Sequence, residues 1–333
     1  MEKIILSEDF RGNLLITRGR EVISECQQGY ADLPNQRLNN KDTRFASASA
    51  GKVFVAVGVL MLVEKGMLNL NDSLGQLLPF DLHQIDPKVT VEQLLTHTSG
   101  VPDYFDEQVM DDYEELWKDF PNYKIRRNSD LLSLFIEKPM QYPRGTKFSY
   151  NNSGYVLLAA IIEQLTQKPF DIYLDEVIFK PCKMDSTGYF ELDRLPSNCA
   201  NNYIHCDSTD VYRTNIYSVD VKGTGAGGAF ITTEDVSKFW DALIHYRLLS
   251  KKMTNQMMSI QSQDGQGSYY GYGIWIHQEK NTLESFFYFQ GQDPGVSFIS
   301  EYHPKSKTQI TLVSNYGDNV WHEISKFRVA MYK

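Results

Sequence analysis

The amino-acid sequence predicts an α/β protein of the α+β type: an antiparallel sheet flanked by helices, with a mainly helical subdomain inserted into it. Two observations lead there. Runs of strand character lie near the N-terminus and again after about residue 225, whereas the middle of the chain reads as helix and loop. The chain has 333 residues, 42% hydrophobic and 13% aromatic, which is enough for one packed core. The expected organisation is a single domain over 1–333, with a sheet subdomain at about 1–65 and 225–333 and a helical subdomain at about 66–224.

At the N-terminal end, Leu14-Leu15-Ile16 and Glu21-Val22-Ile23 flank Thr17-Arg18-Gly19-Arg20, a hairpin pattern with glycine in the turn. From Ser49 to Lys65 the chain is rich in Ala, Val, Leu and Met and stops at Gly66, which predicts a helix buried on most of its surface. Thr90 and Gln93 form a capping-box pair for a short helix ending near Leu95. The acidic, aromatic stretch from Pro102 to Arg127 has no clean period and reads as a long ordered loop of the kind that lines binding sites. Apolar residues at Val156, Leu157, Ala160, Ile161 and Leu165 predict an amphipathic helix over Ser153 to Gln167. After Gly228 come a short strand at Ala229–Ile231 and a helix capped by Thr232 or Thr233 and running through Leu248. Strands follow at Tyr269–His277, Phe286–Phe289, Val296–Tyr302 and Thr308–Ser314, and a closing helix at Asn319–Met331.

Composition excludes several functions. The net charge is −9 and Lys/Arg clusters are no longer than pairs, so nucleic acid is not an expected partner. The four cysteines include no C-x-x-C pair and read as buried free thiols. The seven histidines lack metal-ligand spacing, so neither a metal nor a cofactor is expected. The N-terminal apolar run, Ile4-Ile5-Leu6, is too short for a signal peptide, and no stretch reaches the roughly 18 apolar residues of a membrane span. The sequence as written is expected to be cytoplasmic, or extracytoplasmic if a leader has been removed.

Ser49-Ala50-Gly51-Lys52 is an S-x-x-K tetrad at a helix start. That spacing puts both side chains on one helix face, within about 6 Å at Cβ. A serine hydroxyl needs a base within hydrogen-bond reach, and a lysine serves if burial lowers its pKa. Alone, the tetrad is close to a chance match, and a solvated lysine beside an N-cap serine explains it equally well. Tyr150-Asn151-Asn152 follows a Pro143-Arg144-Gly145 turn and opens a long helix. Tyr150 could carry a proton to a leaving group, and Asn152 could hold a substrate amide. Phe289-Gln290-Gly291-Gln292 lies on a late strand, where Gly291 permits close approach of a substrate backbone.

Together these elements, with the phrases Leu94-Leu95-Thr96-His97-Thr98-Ser99-Gly100-Val101-Pro102 and Pro143-Arg144-Gly145-Thr146-Lys147-Phe148-Ser149-Tyr150, resemble the class C β-lactamase-like, penicillin-binding-protein-like serine hydrolases. The resemblance runs from about Gly12 to the end. It implies a β-lactamase/transpeptidase-like fold, with Ser49 as acylated nucleophile, Lys52 as its base partner and Tyr150 as proton shuttle. It further implies that Asn152 binds the acyl-side amide and that the backbone N–H groups of Ser49 and Gln292 hold the oxyanion. Family members usually carry Lys or His at the position of Phe289. A substrate-binding Phe289 would disfavour substrates with a nearby carboxylate, unless Arg126, Arg127 or Arg213 substitutes from a loop. The expected activity is hydrolysis of a small ester, peptide or β-lactam-like amide. The alternative is a catalytically weak penicillin-binding or sensor protein that binds peptidoglycan-like ligands without turnover. The G-x-G-x-x-G match at Gly223–Gly228 lacks the strand–helix context of a dinucleotide site and reads as a glycine-rich turn at the active-site rim. His97 reads as a structural hydrogen-bonding residue.

Overall fold

The computed structural model describes residues 6–265, 267–278 and 285–331. Ile4 and Ile5, two-thirds of the N-terminal apolar run, lie outside them. The main sheet has eight strands. Two come from the N-terminal end, β1 (Gly12–Arg18) and β2 (Glu21–Gln28). Six come from the C-terminal third: β3 (Ser262–Gln263), β4 (Tyr269–Tyr270), β5 (Trp275–Gln278), β6 (Ser285–Asp293), β7 (Val296–His303) and β8 (Thr308–Ser314). Their order is β2-β1-β8-β7-β6-β5-β4-β3, and every pairing is antiparallel. The two chain ends meet where Leu14 of β1 pairs with Leu312 of β8.

Strand alternation divides the core between two faces. Leu14, Ile16, Ile299, Ile310 and Leu312 point one way, against Val320, Ile324 and Phe327 of the closing helix α4 (Val320–Met331). Phe289, Phe298 and Val313 point the other way, into the larger core that holds α1 (Lys52–Glu64), α2 (Asn152–Thr166) and α3 (Thr233–Ile244). Lys52 to Leu60 are all buried, as expected of a helix without a polar face. The Thr90–Gln93 capping box is formed, and Thr232 caps α3 through the Asp235 amide.

Three local readings need correction. The stretch read as one strand over Tyr269–His277 is a hairpin: Gly273, at φ +74°, lets the chain reverse between β4 and β5. The helix expected through Leu248 ends at Ile244, and a separate helix, Lys251–Met257, starts behind Ser250 as N-cap. Helix α2 is buried on all sides from Asn152 to Ile162 rather than along one stripe, because helices and loops of the middle segment enclose it. The hairpin Tyr203–Cys206 with Val211–Thr214 carries no strong alternation and was not expected. Of the four cysteines, read as buried thiols, only Cys199 is buried; the other three are partly exposed. Among the described residues no helix is long and apolar enough to cross a membrane.

Candidate active site

The Ala48–Gly51 turn leads into α1. It is pinned from two sides. Ser47 donates both its N–H and its Oγ to the Ala229 carbonyl, at 2.9 and 2.7 Å, and Gly228 N–H donates to Ala48 O at 3.0 Å. Ala48 is held at φ +48°, a left-handed conformation that disfavours a side chain by about 1–2 kcal/mol. The bend turns Ser49 toward a cavity of about 750 Å³. On the far side lies the end of β6. Strand β5 pairs with β6 only up to Tyr288, so the Phe289–Asp293 half has one free edge facing the turn. Gly291 is needed here: a Cβ would stand 2.4 Å from Ser47 O and 2.6 Å from Ser49 N. That packing sets the Ser49 amide beside the Gly291–Gln292 backbone.

Lys52 is 2% exposed. Its Nζ donates to Ser49 Oγ at 2.9 Å, to Asn152 Oδ1 at 2.8 Å and to Ala226 O at 2.5 Å. Burial pushes its pKa down to about 8, against an opposing pull from Glu107, Asp103, Asp293 and Asp220. The Lys52 ammonium lies 5.0 Å from the centroid of the Tyr150 ring. Burial also raises the Tyr150 phenol well above its ordinary value, with Glu107 and Tyr270 adding and the Ser49 hydroxyl pulling back. Lys52 is therefore the more easily deprotonated of the two at neutral pH.

Three residues organise this group from behind. Asp103 sits at the N-terminus of α2, where its carboxylate accepts from Asn152 N at 2.8 Å, Ser153 N at 3.1 Å and Ser153 Oγ at 3.2 Å. Burial still raises it to about 6. Asn152 Nδ2 donates to Phe105 O at 3.1 Å, which leaves Oδ1 to face Lys52. His97 accepts from the Asn151 amide at Nδ1, 3.1 Å, and its ring lies 4.5 Å from that of Tyr150. Burial and Lys52 both lower its pKa, so the ring is neutral, with the proton on Nε2.

The structure thus brings Ser49, Lys52, Tyr150, Asn152, Gly291 and Gln292 to one place. Phe289 stands apart. It is 3% exposed, does not line the cavity, and its ring packs on Trp240, Phe239 and Phe298 at 5.2, 5.9 and 5.8 Å. An aromatic ring on that strand face gains more from the core than from the site. Arg126, Arg127 and Arg213 do not line the cavity either; they are paired with Glu191 and Asp193, with Asp130, and with Glu114. Gly223, Gly227 and Gly228 line the cavity, as do Tyr104 and Phe105 of the long acidic loop. Trp117 points elsewhere, donating to Ser218 O at 3.0 Å. Sequence reasoning missed Asp103, Asp220 and Asp293. Only the place of Asp103, directly after the Thr98-Ser99-Gly100-Val101-Pro102 run, offered a signal.

Comparison with known proteins places the chain among others of the same architecture. The Beta-lactamase family profile matches residues 11–330. The crystal structure of a penicillin-binding protein from Bacillus halodurans aligns with a TM-score of 0.92 at 36% identity, covering 96% of this chain and 97% of the other. The D-amino acid amidase from Ochrobactrum anthropi SV3, complexed with D-phenylalanine, aligns with a TM-score of 0.75 at 25% identity, covering 92% and 87%. The teichoic acid D-alanine hydrolase of Staphylococcus aureus is 25% identical over 296 residues, spanning 87% of this chain and 68% of that protein.

Proposed function

The chain belongs to the β-lactamase family of serine hydrolases, and we propose that it works through an acyl-enzyme on Ser49, hydrolysing a small ester, peptide or β-lactam-like amide. One observation carries the reading: a buried amine, Lys52 Nζ, 2.9 Å from Ser49 Oγ and with its pKa lowered to about 8. Neutral Lys52 takes the Ser49 proton as Oγ bonds to the substrate carbonyl carbon. The resulting oxyanion is held by the amides of Ser49 and Gln292; donors of this kind are commonly worth about 3–4 kcal/mol in the barrier. Tyr150, a neutral phenol that lines the cavity together with Ser49, passes a proton to the leaving group as the carbon–leaving-group bond breaks. Lys52 recovers its neutral form through the same hydroxyl network. Water, deprotonated in turn by the same pair, then cleaves the acyl-enzyme. Asn152 bonds to Lys52 and lines the cavity, so it can align the base and meet an acyl-side amide.

Intact-mass measurement after treatment with a fluorophosphonate tests the assignment. The wild type should gain one adduct and Ser49→Ala none; an undiminished adduct in the variant would reject Ser49 as nucleophile. The penicillin-binding name of the Bacillus halodurans protein supports a second reading, in which acylation stalls. A burst without steady-state turnover on a panel of p-nitrophenyl esters and D-amino-acid amides would favour it.

A further inference from the structure

Carboxylates dominate the charged groups on the walls of the cavity over Ser49. Glu107, Asp111, Asp112, Asp220 and Asp293 line it, and no Lys or Arg does; His205, also on the wall, is already paired with Asp207 and Asp210, and Lys52 lies beneath, buried at the floor. Asp293 follows Gln292 directly, so its carboxylate stands one residue from the backbone assigned to the oxyanion. Asp220 is turned inward by Tyr113, whose hydroxyl donates to Oδ1 at 2.9 Å. The Asn215 side chain donates to Pro294 O at 2.9 Å and ties the segment before Asp220 to the end of β6. Asp220 and Asp293 therefore face the same space from two elements.

Half-buried like charges repel, and native proteins normally pair them. Here the Asp293 carboxylate makes no hydrogen bond or ion pair among the described residues. Burial, and then the neighbouring Asp220, push its pKa up to about 8, with Lys52 pulling the other way. At neutral pH the Asp293 carboxyl therefore keeps its proton in the empty cavity, and an entering cation favours its ionised form. The same carboxylates would repel a substrate carboxylate, and Phe289, turned into the core, supplies nothing to hold one. No cluster suited to a metal ion occurs among the described residues, so an organic cation is the better match.

We propose that this cavity selects substrates bearing a free ammonium close to the scissile carbonyl, that is, aminoacyl esters or amides with an unblocked amine, held between Asp293 and Asp220. The inference rests on the acyl-enzyme reading for the reaction but not for binding, so the two can fail separately. A substrate ammonium would also neutralise carboxylates that hold Lys52 in its protonated form, which favours the neutral base once substrate is bound.

Calorimetry at pH 7 with the Ser49→Ala protein provides the binding test. The probes are the D- and L-enantiomers of phenylalaninamide and their N-acetyl counterparts. The free-amine form of the preferred enantiomer should bind at least about tenfold more tightly than its acetylated form, and Asp293→Asn should reduce that ratio about tenfold. Equal binding of free and acetylated amides, no binding of either free amide at millimolar concentration, or a ratio unchanged in both Asp293→Asn and Asp220→Asn would overturn the proposal. Removing an unpaired carboxylate should leave the melting temperature of Asp293→Asn at or above that of the parent, which separates a lost ligand from a lost fold. In the wild type, kcat/KM should follow the same order. Failure of Ser49 to acylate with any substrate would reject the hydrolase reading while leaving the binding preference standing.

Discussion

At the scale of single residues, the site is a contest over one proton. Burial lowers Lys52 to about 8, and four carboxylates oppose the shift. A base must be neutral to accept a proton, so activity should rise with pH through a midpoint near 8. For a neutral substrate such as p-nitrophenyl acetate, kcat/KM should climb about tenfold per pH unit below that midpoint and level off above it. A profile flat from about pH 6 to 9 would remove Lys52 from the role of base. The same shift has a consequence for stability. A lysine whose folded pKa lies below its unfolded value of 10.5 makes the unfolded chain the stronger proton binder. Its destabilising contribution is complete below about pH 8 and fades as pH rises toward 10.5. The buried amine thus opposes folding at neutral pH, a cost commonly met at functional sites. Ser49 and Lys52 were legible because S-x-x-K is a local spacing on a helix. Asp103 was not, because its partners, the amides of Asn152 and Ser153, lie about fifty positions away.

At the scale of elements, strand β6 shows how a single alternation serves two purposes. Phe289 and Gly291 share a face. Gly291 meets the Ser47–Ala50 turn, and two residues earlier Phe289 has already passed into the core beside Trp240. The expectation that Phe289 touches substrate took the motif position for a side-chain position. The ring is in fact tilted 32° against Trp240, and the cavity wall near it is built from backbone and from Gln290, Gln292 and Asp293. Phe289→His should therefore not create a carboxylate-binding site. It should bury an imidazole among aromatic rings and cost about 2–4 kcal/mol of stability. The check is a denaturant titration together with activity toward a carboxylate-bearing peptide. Unchanged stability, or a gain of that activity, would restore Phe289 to the substrate. Other elements were read well where the signal is local. The Thr90–Gln93 capping box, the Gly19 turn and the Thr308–Ser314 strand are written in adjacent residues. The hairpin at Tyr203–Thr214 is not, because its side chains are largely exposed and carry little alternation.

At the scale of the whole molecule, the sheet closes only when both chain ends are present. Pairing of β1 with β8 spans nearly the full sequence, and α4 covers the face that this pairing builds. Burying Val320, Ile324 and Phe327 contributes roughly 5–9 kcal/mol at about 1.5–3 kcal/mol each. Total stability of a domain is usually about 5–15 kcal/mol, so this one helix is a large share of it. A chain ending at Asn319 should lose its cooperative melting transition in calorimetry and bind a hydrophobic dye. A sharp transition within a few degrees of the full chain would show that α4 is dispensable. The sequence by itself determined the α+β class and most element types, and it pointed to Ser49, Lys52, Tyr150 and Asn152 as residues that meet, because periodicity, capping and short motifs depend on neighbours along the chain. Only the tertiary structure decided which way Phe289 faces and that Glu107, Asp220 and Asp293 share one cavity with Ser49. Those carboxylates sit on separate loops and at a strand end. Their proximity, and hence the charge of the site, comes into being only when long-range packing brings those segments together.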